Sequence, residues 1–64
     1  MNTQPLLLSP RQAAELLGVG RNRLYSWIRA GILPSVRDGG RLYIARAAVL
    51  ALAQQIAEGE WPAA

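Results

Sequence analysis

The chain has 64 residues, of which 52% are hydrophobic and 17% are charged, and its net charge is +3. A chain of this length and composition supports one small folded domain with one core, so residues 1–64 are expected to form a single domain with its core at about 6–58 and flexible ends. Cysteine and histidine are absent, which excludes disulfide frameworks, zinc fingers and catalysis by a thiol or an imidazole.

The first predicted elements are a short strand and a helix. Residues 6–8 (LLL) form an apolar run long enough only for a short strand. Ser9 precedes a proline, which is typical of a helix N-cap, and Gln12 completes a capping box. The helix is predicted to span about Pro10 to Leu17 and to end at Gly18. Its inward residues are predicted to be Ala13, Leu16 and Leu17, and its outward residues Arg11, Gln12 and Glu15.

A second helix is predicted from about Arg21 to Ala30, with Gly31 as its C-terminal cap. Leu24, Trp27 and Ile28 repeat at i, i+3 and i+4, which predicts a buried face that includes the tryptophan ring. The two helices are joined by the three-residue connector GVG. Two short helices around such a glycine-containing turn have the outline of a helix-turn-helix.

The next predicted unit is a β-hairpin, with strands at 35–37 and 41–44 around the turn Asp38-Gly39-Gly40. Alternation along the second strand places Leu42 and Ile44 on one side and Arg41 and Tyr43 on the other.

A third helix is predicted from about Arg46 to Glu58, with Gly59 ending it. Its inward residues are predicted to be Val49, Leu52, Ala53 and Ile56. Leu50 stands at the edge of this stripe and is expected to be buried, whereas Trp61 either folds back over the core or serves a partner. The fold class is therefore mainly α with a small β-hairpin wing, a winged helix-turn-helix of three short helices and a two- or three-stranded antiparallel sheet.

The outward residues of the second helix are chemically suited to DNA. At 100° per residue, Asn22, Ser26 and Arg29 lie opposite the buried arc. Arg21, Arg23 and Tyr25 flank that outward face. Arginine can bind guanine, asparagine can bind adenine, and long flanking side chains can reach phosphates across a major groove. An exposed helix also simply needs polar residues, and arginine is a good helix former, so the helix alone leaves both interpretations open.

The hairpin is a second basic element, and it favours the DNA-binding interpretation. Arg37 and Arg41 flank its turn, and arginine that enters a narrow minor groove is a known mode of recognition. Gly39 and Gly40 would let the backbone approach a phosphate, although any tight hairpin requires glycine there.

No catalytic arrangement is visible. The four carboxylates are scattered along the chain, and no serine has a histidine or lysine base. The stretch GVGRNR lacks the third glycine of a dinucleotide fingerprint, and the chain is too short for the parallel sheet. No apolar run approaches the roughly 18 residues of a membrane span, and the N-terminus lacks the pattern of a signal peptide. We expect no enzyme, cofactor, metal, small-molecule ligand or membrane association, and a cytoplasmic location.

The run LLLSPRQAAELLGVGRNRLYSWIRAGILPSVRDGGRLYIARAAVLAL, residues 6–52, resembles the excisionase and MerR-like group of winged helix-turn-helix proteins. The resemblance implies a recognition helix that carries Arg21, Asn22, Arg23, Tyr25 and Ser26. It also implies that Arg37 and Arg41 lie near the minor groove or its phosphates, with supporting backbone contacts from Tyr43 and Arg11.

The resemblance implies a function in a phage, plasmid or other mobile element. An excisionase binds adjacent sites, bends attachment-site DNA and directs an integrase towards excision; MerR-like regulators continue into a long dimerising helix, so the short chain favours an excisionase. The expected partners are double-stranded DNA, an integrase and further copies bound cooperatively on DNA, in the nucleoid of a bacterial or phage host cell. The alternatives are a small transcriptional regulator, and a protein-interaction module that uses the basic face or a surface at Leu50 and Trp61.

Overall fold

The computed structural model describes residues 5–62 and has three helices and three strands within them. In chain order the elements are β1 (Leu7–Leu8), α1 (Pro10–Leu17), α2 (Arg21–Arg29), β2 (Ser35–Asp38), β3 (Arg41–Ala45) and α3 (Arg46–Ala57). The strands form one antiparallel sheet in the order β1-β3-β2. The predicted winged helix-turn-helix is confirmed, with three strands in its sheet; the N-terminal leader, residues 1–4, lies outside the described residues.

Five of the six elements differ from the predicted bounds by one residue at one end, and α1 has the predicted bounds. α2 ends at Arg29 with Ala30 as its C-cap, and α3 ends at Ala57 with Glu58 as its C-cap. β2 continues through Asp38, so the turn of the hairpin contains only two glycines. Both glycines have positive φ, +57° and +81°, which is the backbone that a two-residue type I′ turn requires.

The start and end of α1 are formed by the predicted local interactions. The Gln12 backbone N–H donates to Ser9 Oγ at 3.2 Å, and the Ser9 backbone N–H donates to Gln12 Oε1 at 3.0 Å. The capping box is therefore confirmed. Gly18 adopts a left-handed backbone with φ of 74° and donates its N–H to Ala14, so the chain turns where glycine alone is free of steric strain.

The buried face of α1 is rotated from the predicted one. Ala13 and Ala14 are buried and Leu17 packs against the core, whereas Leu16 is 49% exposed. The prediction that Leu16 faces inward was wrong. At 100° per residue the arc that contains both alanines and Leu17 leaves Leu16 about 105° from its centre, and alanines allow α1 to pack closely against its neighbours.

One apolar cluster fills the space between the helices and one face of the sheet. Its largest fully buried side chains are those of Trp27, Leu24, Leu33, Ile44 and Val49, and it contains no buried polar or charged residue within the described part of the chain. Leu33 is a core residue that the sequence analysis missed. It lies in the loop after α2, where its N–H donates to the Trp27 carbonyl at 3.2 Å, so the loop folds back and returns this side chain to the core.

Register assigns each strand residue to a face of the sheet. Leu8 pairs with Ile44, and both are buried against the helices. Residues 7 and 45 pair on the opposite face, where both are exposed. The sheet therefore packs one face on the helices and presents the other to solvent. We call these the helix-side face and the solvent-side face.

Candidate nucleic-acid interface

The geometry of α2 separates a buried ring from exposed charges. Leu24 and Trp27 are 0% and 2% exposed, and this fixes the rotation of the helix against the core. Asn22 and Arg29 lie on its opposite side and are exposed, and Arg21 and Arg23 on the two flanks of the helix are exposed as well. Tyr25 and Ser26 are half-buried, so they contribute less surface than their predicted positions implied. The buried face of α2 is confirmed.

The N-terminus of α2 carries no side-chain cap. Gly20 is the N-cap, in an extended conformation with φ of −72° and ψ of 158°, and it has no side chain to accept a hydrogen bond. The first backbone N–H groups of a helix have no partner inside the helix and commonly donate to phosphate in nucleic-acid complexes. Arg21 and Asn22 follow immediately, so charge and donors lie together at this end.

The hairpin tip places its two arginines on different faces of the sheet. Arg37 pairs with Leu42, and Asp38 pairs with Arg41. Directly opposed residues share a face, and Leu42 alternates with the buried Ile44. Arg37 therefore lies on the helix-side face, whereas Arg41 lies on the solvent-side face. All four residues of β2 are exposed, so the tip extends beyond the core.

The solvent-side face of the hairpin carries Tyr43 as well. Tyr43 pairs with Val36, which is 59% exposed, and is itself half-buried. The predicted alternation is therefore confirmed, with Leu42 and Ile44 on one side and Arg41 and Tyr43 on the other.

Positive charge is concentrated in the middle of the chain. Residues 21–41 contain five of the seven arginines and one of the four carboxylates, which gives this stretch a net charge of +4. The remaining residues have a net charge of −1. In residues 5–62, no carboxylate forms an ion pair with any guanidinium of α2 or of the hairpin. The charge of both basic elements is therefore available to an anionic partner.

Arg11 lies outside these two elements. On the exposed surface of α1, its Nε lies 3.6 Å from a carboxylate oxygen of Glu15, one turn further along. Such exposed pairs are weak, so the guanidinium can exchange this carboxylate for a phosphate. Its predicted contact with the DNA backbone stays a prediction.

A contact that sequence reasoning missed joins α2 to the C-terminal segment. The Trp61 and Trp27 ring centroids lie 6.3 Å apart with the planes tilted by 42°. The Cζ atom of Arg23 lies 5.4 Å from the centroid of the Trp61 ring. Of the two outcomes expected for Trp61, the structure shows the fold back over the core. No local periodicity links position 61 to position 23, so the sequence carried no signal for their contact.

The expected burial of Leu50 was wrong, because its side chain is 46% exposed. It lines an open groove of about 590 Å³ together with Pro5, Leu8, Gln12, Glu15, Leu16 and Arg46. Trp61 is not among these residues, so Leu50 and Trp61 do not line this groove together. The sequence-based expectation of one partner surface at Leu50 and Trp61 therefore does not describe this groove.

Comparison with known proteins gives one family. A family model described as a helix-turn-helix domain matches residues 7–57, which include every helix and strand of the structure. No curated protein matches the chain. Among residues 5–62, none of the helices has the length and the apolar composition that a membrane-spanning helix requires.

Proposed function

The chain belongs to the helix-turn-helix domain family, which includes excisionase-like small DNA-binding proteins, and on this premise we propose that it acts as an excisionase. Family membership supports sequence-specific DNA binding, and domains of this kind are typically not enzymes. In the proposed function one domain recognises double-stranded DNA without a cofactor, bends attachment-site DNA and directs an integrase towards excision.

The observation that carries the DNA-binding part is the exposed basic side of α2. Trp27 anchors the helix in the core with its other side, and Arg21, Asn22 and Arg29 are exposed. A helix held in this way can enter a major groove as a rigid body. Asn22 is suited to the N6 and N7 edge of adenine, and the arginines to guanine or to flanking phosphates. Tyr25 and Ser26 are proposed to make supporting contacts at the edges of the groove.

The hairpin is proposed to contact the neighbouring minor groove or its phosphates. Arg37, on the helix-side face, approaches from the side on which the helices lie. Arg41 and Tyr43, on the solvent-side face, approach the opposite wall of the same groove. Gly39 and Gly40 have no side chain, so the backbone at the tip can approach a phosphate closely. Arg11 is proposed as an additional phosphate contact from α1.

The excisionase role adds two partners, an integrase and further copies of the chain bound side by side on DNA. Its support is the resemblance of residues 6–52 and the membership of excisionase-like proteins in the family. The first test is selection of duplexes from a randomised DNA library by the purified protein. Enrichment of one motif is expected, and recovery of unenriched DNA would contradict sequence-specific binding.

The second test separates an excisionase from a transcriptional regulator. The attachment sites and integrase of the source element are combined with and without the protein, and excised product is measured. We expect the protein to raise excision and to protect several adjacent sites in a footprint. Binding to a single promoter operator with no effect on excision would instead indicate a regulator. Absence of any duplex binding would leave only the protein-interaction alternative.

Arg41→Ala is expected to weaken binding to most sequences to a similar extent, because a phosphate contact carries little sequence information. The slope of log affinity against log salt concentration should become shallower by about 0.9, the effect of one lost phosphate contact. Fluorescence anisotropy of labelled duplexes over a range of salt concentrations measures both quantities. Val36→Ala, on the same face and without charge, is the control and should leave the slope unchanged. An unaltered slope for Arg41→Ala would place this residue outside the interface.

A further inference from the structure

We propose that Trp61 is a positioning residue of the DNA interface, which holds the guanidinium of Arg23 in place by a cation–π contact before DNA arrives. The inference rests on the proposed function, because it gives Arg23 a ligand. It also makes the segment after α3 part of the recognition surface, although the family model ends at residue 57.

The Trp61 ring contacts both the buried Trp27 ring and the guanidinium of Arg23. Trp27 is 2% exposed, and its ring lies 6.3 Å from that of Trp61, which is 53% exposed. Arg23 Cζ then lies 5.4 Å from the Trp61 centroid, within the range of a cation–π contact. The exposed indole is thus fixed on the buried one and offers a surface on which the arginine rests.

Restricting Arg23 before binding favours the complex. An arginine side chain has several rotatable bonds, and ordering it at an interface loses rotamer entropy. A ring that limits these rotamers in the free protein reduces the entropy lost on binding. Tryptophan is the aromatic side chain that binds a cation most strongly.

An aromatic ring is also the partner that leaves Arg23 able to bind DNA. A carboxylate at this position would neutralise the charge and accept the N–H groups that a base or phosphate needs. The ring attracts the cation without neutralising it, and the guanidinium keeps five donors in its plane. The contact can therefore persist in the complex.

Other arginines of α2 provide an internal comparison. Arg29 lies on the same helix and is exposed, and within residues 5–62 it has no comparable contact with a ring. If Trp61 only covered Trp27 and stabilised the fold, its removal would lower the DNA affinity by the same factor whether Arg23 or Arg29 had been replaced by alanine. If Trp61 positions Arg23, the loss of DNA affinity on removing Trp61 should require Arg23 and should not require Arg29.

Two variants separate the ring from its apolar bulk. Trp61→Leu keeps an apolar cover over Trp27 but removes the π-electron face, and Trp61→Tyr keeps an aromatic face. On the duplex selected from the randomised library, we expect Trp61→Leu to weaken binding about two- to fivefold, within the range of rotamer entropy that one side chain loses when it is ordered at an interface. Trp61→Tyr should recover most of the affinity. The salt dependence should be the same in all three proteins, because no charge is removed.

Double-mutant cycles give the decisive comparison. Trp61→Leu should have no further effect on DNA affinity when Arg23 is already alanine, and should keep its full effect when Arg29 is alanine. Equal effects in both backgrounds would overturn the proposal and leave Trp61 a structural role. Failure of Trp61→Leu to fold, followed by circular dichroism, would overturn it in the same way, as would equal affinities for the leucine and tyrosine variants.

A measurement without DNA separates this inference from the proposed function. In NMR spectra of the free protein, the ring current of Trp61 should shift the Arg23 side-chain resonances, and Trp61→Leu should remove that shift. Loss of DNA binding by the unaltered protein would reject the proposed function but would not change this result. Arg23 shifts that do not respond to Trp61→Leu would reject the contact itself, whether or not the protein binds DNA.

Discussion

Trp27→Ala is expected to unfold the chain. Its ring is almost fully buried at the centre of the only apolar cluster in residues 5–62. Truncation of a buried tryptophan to alanine reduces the free energy of unfolding by about 3–5 kcal/mol. A domain of this size rarely has more than about 3–5 kcal/mol from its core, so little stability remains.

Circular dichroism measures the effect through the helical signal and its thermal transition. The variant should lack a cooperative transition, and Trp61 should lose the ring beneath it. Trp27→Phe is the matched control, because it keeps an aromatic side chain in the cluster and should melt cooperatively at a lower temperature than the unaltered protein. A folded Trp27→Ala protein with an unchanged melting temperature would show that the core does not depend on this ring.

The double variant Arg21→Ala, Arg23→Ala should have the largest effect on DNA affinity. Each residue is proposed to contact a base or a phosphate, and the loss of one such contact weakens binding by about 1–3 kcal/mol. Two losses correspond to about 2–6 kcal/mol if they are independent. Alanine is the best helix former, so α2 should keep its structure and the loss should lie in the interface.

Fluorescence anisotropy on the selected duplex gives the affinity, and circular dichroism confirms that the variant is folded. Gln55→Ala, an exposed polar residue of α3 changed to alanine, is the matched control and should bind as the unaltered protein does. Asn22→Ala should additionally change the preferred base at one position. Unchanged affinity of the double variant would show that the arginines on the flanks of α2 do not contact DNA.

Those parts of the fold that depend on neighbouring residues could be predicted from the sequence. The capping box of Ser9 and Gln12 needs residues three apart, and the turn of Gly39 and Gly40 needs two adjacent residues of positive φ. The apolar spacing of Leu24 and Trp27 defined the buried side of α2 in the same way. Local stereochemistry determines each of these features, so the helix-turn-helix outline followed directly.

Features that depend on packing between distant elements could not be predicted. The spacing in α1 predicted Leu16 on its buried side, but packing against the other elements buries Ala14 and leaves Leu16 exposed. Leu33 is buried because a loop folds back on α2, which no periodicity indicates. Leu50 is exposed because α3 turns Val49 and Leu52 into the core instead.

In the candidate site, too, features set by neighbouring residues could be predicted and features set by distant elements could not. The outward residues of α2 followed from helical geometry, with Ser26 and Tyr25 less exposed than predicted. The sequence placed Arg37 and Arg41 near one turn, but only the strand register shows that they lie on opposite faces. The contact of Trp61 with Arg23 depends on the path of the chain after α3. Residue spacing does not predict that path.

The central claim is that the exposed side of α2 and the hairpin tip contact DNA together. Amide chemical shifts measured by NMR during titration with the selected duplex test it residue by residue. The largest changes should fall within residues 20–29 and 37–43, with small changes around Leu16 and Leu50 in the groove between α1 and α3. Large changes at that groove, with α2 and the hairpin unaffected, would contradict the claim.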